Sequence, residues 1–206
     1  MKLSPMIHRR RTFLLWLLTL IGAVSIYSCL NIPETTDYPG SIDSTPSYDI
    51  SFYEYKVTNI YPHDRNAFTE GLVFENGFLY EGTGLRGYST LRRVELETGN
   101  VFKTRQIPDK LFGEGITIYE NRIIQLTWQS NIGFVYDKES FELLQEFNYS
   151  TEGWGITYDG KRLIMSDGTS VLRFLDPESF NEIGRITVSD NDGPVSRLNE
   201  LEYVQG

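Results

Sequence analysis

Four side chains that could act together on a small substrate stand at one recurring position of the chain: Glu70, Glu114, Trp154 and Asn199. Each lies two residues before a β-rich run, and these runs begin at Leu72, Ile116, Ile156 and Leu201. A purely structural repeat would place the same small residue there each time. This one supplies two carboxyl groups, an indole and an amide. Paired carboxyl groups are the equipment of acid–base work, including glycoside hydrolysis, where their separation would set the stereochemistry. Gly71, Gly115 and Gly155 follow three of the four, and glycine permits a tight turn or a close backbone approach. Trp128 ends the second run of its unit, where the other units place Gly84 and Gly168. An indole in place of glycine would build an aromatic wall there. Trp128 and Trp154 can also be read as core aromatics, the usual role of tryptophan.

The elements that must position these groups form a repeat. Leu72–Tyr80, Ile116–Ile124 and Ile156–Ile164 each contain a β-rich run, a polar turn (Asn76-Gly77, Glu120-Asn121, Asp159-Gly160) and a second run, the pattern of a hairpin. A third run follows in each (Leu91–Leu96, Gly133–Tyr136, Val171–Leu175), then a polar turn and a fourth (Val101–Ile107, Phe141–Phe147, Phe180–Val188). Unit starts at 72, 116, 156 and 201 are spaced 44, 40 and 45 residues apart, and no unit has a helical apolar period. Four antiparallel strands at that period predict the blades of an all-β propeller. The first strand of each blade lines the central channel, so the four recurring positions converge on one axis. Leu201–Gly206 reads as the opening of a fourth blade, and Phe52–Tyr61 as an outer strand that closes the ring. The expectation is therefore a C-terminally truncated propeller of three blades and the start of a fourth, short by roughly 60–80 residues. The alternative is that another chain supplies the rest.

Composition narrows the function. The chain has 206 residues, 40% hydrophobic, with 19 basic and 28 acidic side chains. Residues 1–29 hold four of the basic groups and no acid, which leaves the remainder at a net −13. Nucleic acid is an unsuitable partner for such a surface. Those first 29 residues read as an export signal: His8-Arg9-Arg10-Arg11 precedes an uncharged apolar run that ends at Ser28-Cys29. The ending resembles a lipoprotein box with Cys29 as the lipidated residue; an uncleaved signal anchor is the alternative. Either places the folded part outside the cytoplasm, at a membrane or beyond it. Residues 30–49, rich in Pro, Ser, Thr and Asp, read as a flexible tether, and residues 50–206 as the propeller domain. Cys29 is the only cysteine, which excludes an intramolecular disulfide and a Cys-rich metal site. His63, the only histidine of the domain, lacks a second ligand nearby and reads with Asp64 as an anchor for its loop.

Seven ordered motifs resemble the glutamine cyclotransferase family: His63–Leu72, Leu79–Gly84, Phe112–Thr117, Gln125–Trp128, Gly153-Trp154-Gly155, Ser166–Thr169 and Arg197–Tyr203. Plant- and bacterial-type members are five-bladed propellers that convert an N-terminal glutamine to pyroglutamate with loss of ammonia. The resemblance implies a peptide or protein with N-terminal Gln as substrate, no cofactor or metal, and a monomer. It assigns Glu114 as the catalytic proton shuttle, with a pKa raised by burial among aromatics. Trp128 and Trp154 would flank the substrate, Asn199 would hydrogen-bond the scissile amide or its oxyanion, and Phe68 and Phe112 would add apolar wall. Glu70 stands where the family commonly has Gln, and would bind the substrate ammonium or raise the Glu114 pKa. A further family Trp and Lys have no match up to residue 206, so the activity is expected of the longer parent and not of this chain alone. Two other readings stay open on the residues: a non-catalytic, membrane-tethered propeller that binds peptides or proteins, and a glycoside hydrolase using Glu70 and Glu114.

Overall fold

Short runs of alternating polarity, each closed by a turn signal, build three four-stranded antiparallel sheets in the computed structural model, which describes residues 54–204. Of the chain's two units, Met1–Glu54 and Tyr55–Gly206, the second carries every described element. The export signal over 1–29 with Cys29, and the tether over 30–49, lie outside the described residues. The first sheet runs β1 (Thr69–Glu75), β2 (Phe78–Thr83), β3 (Thr90–Glu95), β4 (Val101–Gln106). The second runs β5 (Gly113–Tyr119), β6 (Arg122–Thr127), β7 (Ile132–Asp137), β8 (Leu143–Asn148), and the third β9 (Ile156–Tyr158), β10 (Leu163–Met165), β11 (Val171–Leu175), β12 (Glu182–Thr187). Each sheet is a simple meander in sequence order, and the sheets resemble propeller blades.

The inner hairpins turn where the sequence places them. Asn76 and Gly77 both have positive φ, 52° and 83°, the backbone of a tight hairpin turn that suits Asn-Gly. The outer turns hold a feature that alternation does not show. Asp137 Oδ1 accepts the Glu139 and Ser140 amides and the Ser140 hydroxyl, and Asp176 repeats this with Glu178 and Ser179. The next residue in each is a phenylalanine in the left-handed region, Phe141 and Phe180, both at φ 58°, where the first sheet has Gly99 at φ 71°. That backbone costs a phenylalanine about 1–2 kcal/mol. Burial offsets it: Phe141 meets Tyr80 between the first two sheets, and Phe180 stacks on Phe147 at 4.1 Å between the second and third. The fourth strands of these sheets accordingly begin at Leu143 and Glu182, not at the expected Phe141 and Phe180.

Two apolar cores glue the sheets face to face. Tyr80, Leu91, Ile116, Ile123 and Phe134 fill the first, while Ile124, Leu126, Val135, Ile156, Leu163 and Met165 fill the second. The expected outer strand Phe52–Tyr61 begins outside the described residues, and its described part, residues 54–61, forms no strand: a strand needs a ladder partner, and no described strand pairs with this segment, so Tyr55 and Ile60 stand exposed. A small hairpin of β13 (Ser189–Asp190) and β14 (Gly193–Pro194) follows the third sheet. Residues 195–204 are not in a ladder either, yet they are bonded to the third sheet and its loops: the Tyr203 amide donates to Thr157 Oγ1 of β9 at 3.1 Å and the Arg197 amide to the Gly168 carbonyl, beyond β10, at 2.8 Å. Replacing Phe180 with Ala keeps the left-handed backbone and empties the stack, so the unfolding free energy in urea is expected to drop by about 3 kcal/mol or more. A drop under about 1 kcal/mol would show that the ring is not part of the core.

Candidate active site

Glycine brings the inner strands together. A methyl group on Gly71 would stand 2.5 Å from the Ile116 backbone nitrogen, and one on Gly115 would stand 2.6 Å from the Trp154 carbonyl oxygen. Gly155 meets Asn199 and Glu200 in the same way. The Gly115 amide also donates to the Trp154 carbonyl at 2.8 Å. Three successive contacts of one kind set the residues just before these glycines side by side. Glu70, Glu114, Trp154 and Asn199 consequently share one pocket of about 240 Å³, walled further by Phe68, Phe112 and Trp128. All seven pocket residues expected from the sequence thus come together; Cys29 lies outside the described residues.

The wall is an edge-to-face series. The Phe68 and Phe112 rings lie 6.1 Å apart at 87°, and Phe112 and Trp128 lie 5.6 Å apart at 65°. Matching backbone bonds place the ends of the second strands: the Gly84 amide donates to the Phe68 carbonyl at 2.8 Å, and the Trp128 amide to that of Phe112 at 3.0 Å. Gly84 and Gly168 are glycine because aromatic rings occupy the adjoining space. A methyl group on Gly84 would fall 2.5 Å from the Phe112 ring, and one on Gly168 would fall 2.7 Å from the Trp154 ring. The loop ahead of Phe68 is anchored by Asp64 and His63, in keeping with the sequence reading. Arg92 Nη1 donates to Asp64 Oδ2 at 2.9 Å, and His63 Nε2 lies 2.8 Å from Oε1 of buried Glu81, which also accepts from Thr69 Oγ1.

Glu114 is 7% exposed, and its environment opposes ionisation. Burial pushes its pKa up to about 9, aided by the nearby charge of Glu70, by a hydrogen bond with Glu70 and by the charge of Glu152. Burial also raises Glu70, but the hydrogen bond from Glu114 favours its ionised form. Burial and the neighbouring carboxyl groups therefore favour the protonated form of Glu114 at neutral pH. This is a buried acid facing an aromatic pocket, equipped to give and retrieve one proton.

Three residues that the sequence reading missed support this arrangement. Glu152 Oε2 accepts the indole N–H of Trp128 at 2.8 Å and that of Trp154 at 2.9 Å. Ser166 Oγ accepts the Gly155 amide and donates to the Asn199 carbonyl at 2.7 Å, which seats Asn199. Tyr149 accepts the Thr127 amide at 2.8 Å and abuts Gly153, behind the two tryptophans. A signal for Glu152 existed. Phe68 and Phe112 stand two residues before Glu70 and Glu114, and Glu152 stands two before Trp154, so the third blade exchanges the order of acid and aromatic.

Stacked meander sheets with a pocket at the start of their inner strands define a propeller-like all-β protein. The Neurospora crassa Pan2 WD40 domain shares that fold alone, with 11% identity, a TM-score of 0.50, and 58% of this chain and 36% of that one covered. The chain belongs to the glutamine cyclotransferase family, whose model matches residues 29–206. It is 40% identical over 165 residues to a glutaminyl-peptide cyclotransferase of Arabidopsis thaliana, covering 78% of this chain and 52% of the relative. The crystal structure of Myxococcus xanthus glutaminyl cyclase is similar with a TM-score of 0.65 and 36% identity, over 71% of this chain and 62% of that one. The chain thus spans about half the length of the Arabidopsis relative it matches.

The raised pKa of Glu114 has a thermodynamic sign. The folded protein holds a proton that the unfolded chain releases near its ordinary value of 4.5, so this group's contribution to stability is complete below about 4.5 and is lost as pH climbs to about 9. Glu114→Gln, which cannot ionise, is expected to exceed the wild type in stability by at least ~1 kcal/mol at pH 8, with the gap closing at pH 5. Chemical denaturation at the two pH values measures it; parallel profiles would mean that the carboxyl is solvated.

Proposed function

We propose that the protein is a glutaminyl-peptide cyclotransferase that closes the N-terminal glutamine of a peptide or protein to pyroglutamate and releases ammonia. One observation carries the reading: a buried carboxyl group, Glu114, its pKa pushed up by that burial, at a pocket walled by Phe68, Phe112, Trp128 and Trp154. Family membership and the identity to the Arabidopsis cyclotransferase support it. The glycoside hydrolase reading has weaker support, since the family match and the seven ordered motifs favour the cyclotransferase.

The chemistry requires one net proton movement. The neutral α-amine attacks its own side-chain amide carbon; a C–N bond forms, the attacking nitrogen becomes positive and the carbonyl oxygen negative. Glu114 gives its proton to the departing amide nitrogen, the old C–N bond breaks as the carbonyl reforms, and ammonia leaves. The resulting carboxylate takes a proton from the attacking nitrogen, which restores Glu114 and leaves the lactam N–H. The Asn199 side chain faces the same pocket and donates to the developing oxyanion. Glu70 accepts from the substrate amine and orients it. The aromatic wall holds the two methylenes of the glutamine side chain in the folded shape that ring closure needs, and keeps water from the acid.

The same reading includes a five-bladed ring in which the three described sheets are successive blades and residues 195–204 lie along the inner edge of the third. It also includes export directed by residues 1–29, with anchorage through Cys29 or through the uncleaved apolar run, on the support of the charge and apolar pattern there.

Ammonia release from a Gln-terminated peptide by the full-length protein tests the activity, and the kinetics of the substitutions below are measured in that protein. Glu114→Gln is expected to lower kcat by about 10²–10⁴-fold while leaving peptide affinity within about threefold; unchanged turnover would exclude Glu114 as the shuttle. The pH dependence of kcat/KM is expected to be a bell, rising as the substrate amine loses its proton near pH ~8 and falling as Glu114 ionises at about 9. A rate that keeps rising through pH 10 would contradict the protonated form as the working one.

A further inference from the structure

We infer that Glu152 is a positioning residue that locks the two pocket indoles of Trp128 and Trp154 at a fixed mutual angle, and so sets the width of the slot that receives the glutamine side chain. The inference rests on the cyclotransferase reading for the identity of the substrate, and on the structure alone for the locking.

An indole has a single polar group, its N–H, and that group only donates. Wherever the N–H is held, the orientation of the ring is fixed. Here both N–H groups point to the same atom, Glu152 Oε2, at 2.8 and 2.9 Å. The rings come from different sheets, Trp128 just after β6 and Trp154 just before β9, so this oxygen ties the second blade to the third at the pocket. Hydrogen bonds to an ionised acceptor are about twice as strong as neutral ones. The donors themselves, Trp154 first and then Gln129 and Trp128, hold the Glu152 carboxyl below the usual carboxylate range.

Glu152 is in turn held. The Gly153 amide donates to the Trp128 carbonyl at 3.0 Å, Gln129 Nε2 reaches Glu152 Oε1 at 3.3 Å, and Thr151 Oγ1 donates to the Glu152 carbonyl at 3.0 Å. Asn131 Nδ2 donates to the Thr151 carbonyl. The carboxylate is therefore a fixed post and not a mobile surface group. If it is removed, each indole N–H must find another acceptor, and the pocket offers its own working groups, Glu70 and the Asn199 side chain. A ring that swings toward them blocks the slot.

Trp16, Trp128 and Trp154 are the only tryptophans, so in a Trp16→Phe background the indole signals come from the two pocket rings alone. In that background Glu152→Ala is expected to move both indole N–H resonances in a ¹H–¹⁵N spectrum and to raise acrylamide quenching of the tryptophan fluorescence about twofold. KM for a Gln-terminated peptide should rise about tenfold, the loss of one charged hydrogen-bonding partner. Glu152→Gln keeps a carbonyl acceptor at the same reach and should return the resonances, the quenching and KM to within about threefold of wild type. Indole signals that do not respond to Glu152→Ala would overturn the inference. So would a rise in KM with the indole signals unmoved, because Glu152 would then act on the substrate directly. If the full-length protein releases no ammonia, the cyclotransferase reading fails, while the resonances still decide whether Glu152 holds the rings.

Discussion

The close approach of successive inner strands is the constraint from which the site follows. Backbone meets backbone at Gly71, Gly115 and Gly155, where any side chain would collide with the next strand. Because contact is made at one equivalent residue in each case, the residue just before it is delivered to the same place from every blade. Glu70, Glu114, Trp154 and Asn199 are far apart in sequence and meet only through this register. Loosening any of the three contacts separates the acid from its wall or from its amide partner.

Such convergence forces like charges together, and the fold tolerates the cost. A carboxyl group taken out of water beside a second carboxyl prefers to keep its proton, which is the state the proposed shuttle requires but one that makes no net contribution to stability at alkaline pH. The apolar cores between the sheets, the stacked Phe147 and Phe180 and the capped outer turns supply the excess that lets this strained pair persist. Stability and chemistry are thus located in different layers of the same blades: rings and aliphatics between the sheets, ionisable groups at the inner ends of the strands.

Much of this was legible in the sequence because a repeat turns spacing into geometry. Glu70, Glu114 and Asn199 were recognisable as neighbours once the runs at Leu72, Ile116 and Leu201 were aligned, and Trp128 stood out against Gly84 and Gly168. Less legible were features in which one repeat position changes its chemistry. Phe141 and Phe180 take the left-handed place of Gly99, so alternation assigned them to strands although they plug the space between sheets. Glu152 occupies the register of Phe68 and Phe112 and was hidden because a carboxylate does not align with an aromatic. The segment 54–61 has strand-like composition, but a strand is a property of a pair, and no described strand lies against it.

The exchange of acid and aromatic between the second and third blades has a consequence for handedness of recognition. A ring of identical blades presents the same group from every side, and a small ligand can enter it in several equivalent orientations. Here one half of the pocket offers carboxyl groups backed by phenylalanine, and the other offers indole backed by a carboxylate together with an amide. Rotational equivalence is gone. A ligand whose amine and amide ends differ has only one way to lie down, and a duplicated scaffold has become a directional one.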